Sequence, residues 1–155
     1  MISGARYSHT NVIARDWRSL AAFYEAVFGC VRTYPERDYA PSQVEAGTGV
    51  VGAGFAGAHL RLPGYGSEGP TLEIYTYDPA IEGVRPQVNE PGLAHIAFGV
   101  DDVEAAHREV LDSGGSAVAD IISSTRSDGA VIKWCYVRDP EGNIIELQSW
   151  TYPRR

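Results

Sequence analysis

Apolar positions along the chain follow two periods that alternate. A period near 3.6 runs through Leu20, Phe23, Tyr24, Val27 and Phe28, with Asp16 placed as N-cap and Gly29 as stop. It returns at Val103, Ala106, His107, Val110 and Leu111, where Asp101 and Glu104 have capping-box spacing and Gly114-Gly115 closes the run. Between and around these two helices, period-two runs predict strands at 7–13, 30–39 with an interruption at Pro35, 59–62, 71–77, 93–98, 117–122, 131–138 and 143–150. The turn 139–142, Asp-Pro-Glu-Gly, leads into the last strand, and a polar turn at 123–129 separates the two strands before it.

The order repeats, strand, helix, then three strands, so the chain reads as two βαβββ modules. Module one covers about 5–78 and module two about 93–152. The linker 79–92 contains Pro79, Pro86 and Pro91 with little periodicity, and the whole of 1–155 is read as one domain. His9 stands seven residues before Asp16, and His95 seven before Asp102. The first module is longer because of the stretch 40–57 and the Gly64-Tyr65-Gly66 turn. With five glycines, 40–57 reads as a mobile loop over a pocket; no Lys-Ser/Thr pair follows it, which argues against a nucleotide loop.

Composition narrows the function classes. A net charge of -7 works against nucleic acid as a partner, because phosphate binding needs a basic surface. No apolar run is long enough for a membrane span and 1–6 lacks a signal peptide's apolar core, so the expected location is the cytoplasm. Cys30 and Cys135 lack CxxC spacing and read as reduced core residues.

The polar exceptions inside the strand runs carry the candidate chemistry. Glu73 and Glu146 each interrupt an apolar strand pattern, and His9 and His95 each sit on another strand, giving the order His, Glu, His, Glu. An acid on a core face is costly without a cation or donor to meet it. Taken singly, a strand histidine is more often a hydrogen-bonded structural residue and a strand glutamate more often faces solvent. The same pair at matching places in both halves is harder to produce by accident. Two imidazole nitrogens and two carboxylate oxygens suit a divalent transition metal such as Zn, Ni, Co, Mn or Fe, with two positions of an octahedral shell left for water or substrate. By alternation Glu73 shares its face with Thr71, Tyr75 and Tyr77, and Glu146 with Ile144, Gln148 and Trp150, so Tyr75, Gln148 and Trp150 are expected to line a substrate pocket. Arg6, Arg61, Lys133 and Arg138 are candidates for an anionic substrate group. His59 is read as surface or pocket rim, and His107 as a core-edge residue.

The residues resemble the vicinal-oxygen-chelate superfamily, which includes glyoxalase I, extradiol dioxygenases and the bleomycin-resistance proteins. The carriers are His9, the helix end at 23–29, Leu72-Glu73-Ile74, the stretch 94–103 with His95, and Asp139-Pro140-Glu141-Gly142-Asn143 leading to Glu146. The resemblance implies an α+β fold in which the two modules form a curved mixed sheet around a cleft, with helices outside. The ligand set His9, Glu73, His95, Glu146 is most similar to that of glyoxalase I. It implies a metal-dependent lyase or isomerase that abstracts a proton next to a chelated carbonyl, with Glu146 as the first candidate for the base and Glu73 the second. Extradiol-type dioxygenase and non-catalytic antibiotic or small-ligand binder are the alternatives, and a homodimer is the implied assembly.

Overall fold

The structure, a computed structural model, describes residues 2–153. It divides into two compact units, one up to Glu82 and one from Gly83 onward, each with its own five-stranded mixed sheet.

In the first unit β1 (His9–Ile13) leads into α1 (Trp17–Phe28). The short strands β2 (Val31–Arg32) and β3 (Arg37–Tyr39) follow, then α2 (Pro41–Thr48) and the long strands β4 (Gly54–Arg61) and β5 (Thr71–Asp78). β1 runs parallel to β5, β5 pairs antiparallel with β4, and β4 receives both β2 and β3. The second unit repeats the scheme with β6 (Ile96–Gly99), α3 (Val103–Asp112), β7 (Ser116–Ala117), β8 (Ile122–Thr125), β9 (Val131–Arg138) and β10 (Ile144–Thr151). β6 is parallel to β10, β10 antiparallel to β9, and β9 pairs with both β7 and β8.

Helix α1 forms where its period predicts. Asp16 accepts from the Arg18 and Ser19 amides at 3.0 and 3.3 Å, and Gly29 ends the helix in the left-handed region at φ 67°. Its buried side, Leu20, Ala21, Phe23 and Tyr24, packs on β4 and β5, where Ala58, Leu60, Leu72 and Ile74 are closed to solvent. Burying one such aliphatic side chain contributes about 2 kcal/mol. In the second unit Val103 and Val110 of α3 lie against β9 and β10, over Cys135, Val137, Ile145 and Leu147. One face of each sheet is thereby taken by a helix, and alternation sends the neighbouring side chains to the other face.

Three local expectations need correction. The stretch 40–57 is a helix and the start of a strand, not a loop: Pro41 occupies the first turn of α2, Val44 is buried beneath it, and Gly49 ends it at φ 74°. With a single buried residue in eight, α2 leaves almost no periodic trace. In the second unit 118–121 is a connection between two short strands, and β8 occupies part of the expected polar turn. Asp102, rather than Asp101, caps α3 by accepting from the Ala105 amide at 2.9 Å.

Candidate functional site

Strand register sets what stands beside each glutamate. In the first unit Glu73 faces Asn11 on one side and His59 on the other, and Tyr75 faces Ile13 and Gly57. Paired residues point to the same side of a sheet, so His9, Asn11, Thr71, Glu73, Tyr75, His59 and Arg61 share the face turned away from the α1 contacts.

Glu73 is buried and well supplied with donors. Its Oε2 is 3.3 Å from His9 Nε2 and accepts from Asn11 Nδ2 at 3.3 Å, and its Oε1 is 2.9 Å from His59 Nε2. The same His59 nitrogen lies 2.9 Å from the Tyr75 hydroxyl, and its Nδ1 lies 3.3 Å from Thr71 Oγ1. Burial lowers the His59 pKa, more than the Glu73 charge raises it, and the Arg37 charge lowers it further. Burial, followed by the Glu73 charge, pushes the Tyr75 hydroxyl up to about 12, so it remains a proton donor. The expectation that His59 is surface or rim is therefore corrected: it is half-buried and directly across from Glu73. The register across the connection 62–70 is what reveals it: Arg61 pairs with Thr71, which brings His59 opposite Glu73.

The second unit carries a sparser version. His95 Nε2 is 3.0 Å from Glu146 Oε2, and both side chains are largely covered. Tyr136 stands across from Glu146 in the register that His59 has toward Glu73, with its ring centroid 5.1 Å from that of His95. Burial and then the Glu146 charge raise its phenol pKa. Gln148 is half-buried and accepts from Trp150 Nε1 at 2.8 Å, while Trp150 is exposed and stacks on Tyr152.

The four candidate cations separate by register. Arg61 and Arg138 share the faces of the two glutamates. Arg138 donates to the Gly142 and Pro86 carbonyls at 2.7 and 2.8 Å. Lys133 falls on the helix side and pairs with Glu104 at 2.8 Å. Arg6 precedes β1. Arg37, which sequence reasoning passed over, pairs with Gly57, and its charge acts on both His59 and Tyr75.

The turn before β10 fixes the approach to Glu146. Asp139 is buried; its Oδ1 accepts from the Glu141 and Asn143 amides at 3.0 and 2.9 Å, and its Oδ2 from Asn143 Nδ2 at 2.9 Å.

The donor chemistry is compatible with a divalent transition metal. Two ligands each about 2.1 Å from a cation and at right angles to each other lie about 3.0 Å apart. The His95–Glu146 and His9–Glu73 separations, 3.0 and 3.3 Å, match that spacing. Among the described residues no group of three or more His, Cys, Asp or Glu side chains is arranged to hold a metal ion.

Comparison with known proteins agrees with the repeated topology. A glyoxalase family protein from Bacillus cereus superposes with a TM-score of 0.80 at 17% identity, over 97% of this chain and 99% of that one. A glyoxalase family protein from Enterococcus faecalis gives 0.63 at 20% identity, over 95% and 99%. A glyoxylase/bleomycin resistance protein/dioxygenase domain from Frankia sp. EAN1pec gives 0.61 at 17% identity, over 96% and 100%. Identities this low show the fold alone. No curated protein matches, and no described helix is long and apolar enough to cross a membrane. The profile of the Glyoxalase/Bleomycin resistance protein/Dioxygenase superfamily matches residues 6–147, nearly the whole chain, and with two copies of the same α+β module the chain belongs to that superfamily.

Proposed function

We propose that this protein is a divalent-metal-dependent lyase or isomerase that abstracts a proton from the carbon next to a chelated carbonyl. The observation that carries the reading is the recurrence of one imidazole nitrogen within 3.3 Å or less of one carboxylate oxygen at matching strand positions in both units. His9, Glu73, His95 and Glu146 are the residues that would hold the cation. A divalent cation there would supply Lewis-acid polarisation of two neighbouring substrate oxygens.

Glu146 takes the proton. Among the described residues His95 is the imidazole beside it, whereas Glu73 has both His9 and His59 beside it together with Asn11 Nδ2, so Glu146 is the less tethered of the two acids. Tyr75, Gln148 and Trp150 bind the substrate's remaining groups, Tyr75 and Gln148 through polar ends and Trp150 through its ring. The reading also carries a homodimer in the cytoplasm, in keeping with two free, buried thiols.

Elemental analysis of protein purified without added metal, followed by kinetics of Glu146→Gln on a panel of α-hydroxycarbonyl compounds, tests the proposal. The expected result is about one divalent transition metal per chain and a kcat lowered about 10²- to 10⁴-fold in the variant. Full activity in Glu146→Gln would remove that residue from the base role.

A further inference from the structure

A carboxylate ligand presents two equivalent oxygens on a rotatable bond, so whether it binds a cation well depends on what holds the oxygen that does not bind. In the first unit that holder is built into the sheet. His59 stands directly across from Glu73, with Nε2 2.9 Å from Oε1, and Oε2 is left beside His9 with Asn11 Nδ2 donating to it at 3.3 Å. The ring itself is oriented from behind, because Thr71 Oγ1 lies 3.3 Å from Nδ1. The same Nε2 lies 2.9 Å from the Tyr75 hydroxyl, so one ring nitrogen faces both Glu73 and Tyr75 while the other is held by Thr71. The second unit has no such chain: Tyr136 replaces His59, Ile144 replaces Thr71 and Gln148 replaces Tyr75.

We propose that His59 is a positioning residue for Glu73, donating from Nε2 to Oε1 so that Oε2 stays aimed beside His9 for the cation. The inference rests on the metal-dependent reading above and adds a residue that touches neither substrate nor cation. Thr71 holds the His59 ring from its Nδ1 side, and the whole arrangement belongs to one unit.

Calorimetric titration of Mn(II) or Co(II) into the metal-free full chain tests it, comparing the native protein with His59→Ala, His59→Phe and His59→Gln. Phe keeps the ring shape and removes the donor; Gln places an amide donor at similar reach. Loss of a donor that orients a metal ligand typically weakens affinity about 10- to 100-fold, and that loss is expected in Ala and Phe, with most of it recovered in Gln. A Phe variant that titrates like the native chain would overturn the proposal while leaving the metal reading intact. Equal losses in Gln and Phe would also overturn it, by assigning the effect to packing rather than to the hydrogen bond. A native chain that takes up neither ion would sink the metal reading itself, and this proposal with it.

Discussion

The two sheets can be laid over each other residue by residue: Glu73 on Glu146, Arg61 on Arg138, Thr71 on Ile144, with each histidine two residues before the partner of its glutamate. What surrounds the acids differs. Asn11 in the first unit corresponds to Ala97 in the second, His59 to Tyr136, and Gly57 to Trp134. A duplicated backbone frame thus preserves the donor pair, while the next ring of side chains gives each acid its own surroundings. Glu73 is clamped from three directions, and Glu146 faces a phenol.

The largest expected effect separates the two acids. With metal kept saturating, Glu146→Gln should still lower kcat about 10²- to 10⁴-fold, whereas Glu73→Gln should weaken metal affinity and keep most of its kcat. Steady-state kinetics beside metal titration decide this, and identical profiles for the two variants would break the contrast drawn here. Next in size are the buried floors of the two sheets. Ile74 and Leu147 occupy matching positions and are both fully closed to solvent, so Ile74→Ala and Leu147→Ala should each cost about 2–5 kcal/mol in urea unfolding.

A smaller effect is expected at Gly57. A Cβ there would come within 2.1 Å of the Ile74 carbonyl oxygen and 2.1 Å of Tyr75 Cδ1. Backbone cannot step aside, so Gly57→Ala should cost about 1–3 kcal/mol and displace the Tyr75 ring, read by unfolding and by a changed tyrosine signal in near-ultraviolet dichroism. In the second unit Trp134 occupies the matching place, across from Gln148.

The smallest effect concerns helix caps. Asp16→Ala should cost about 1 kcal/mol at neutral pH. Hydrogen bonding, first from the Ser19 side chain and then from its amide, holds the Asp16 carboxyl below its ordinary value of 3.8. Its contribution is therefore complete above pH 3.8 and is lost as pH falls through the lower folded value, so the penalty of the substitution should shrink in acid. Urea midpoints at pH 6 and pH 3 check this. A penalty that does not change with pH would remove the carboxylate from the cap.

Much of this was legible in the sequence because it rests on period. The helix around Leu20 and Tyr24, the strands carrying both glutamates, and the duplication show in one dimension because each element buries one regular face. Helix α2 does not show, since Val44 alone is buried in it and propensity in eight residues decides little. The role of His59 was hidden for another reason: it depends on a cross-strand register, and a single residue's own neighbours in the chain do not encode what it meets across a hairpin. The same holds for Lys133, whose partner Glu104 lies on a different element.

Each unit also encloses one free sulfur, Cys30 in the first and Cys135 in the second, and burial lifts both thiols to about 11. At neutral pH the reactive thiolate is then on the order of one part in ten thousand, and the atom is sealed besides. Alkylating reagents will consequently report breathing of the fold rather than surface chemistry. With one cysteine replaced at a time, the remaining sulfur becomes a clock for the opening of its own half, and the two halves can be timed separately in the intact molecule.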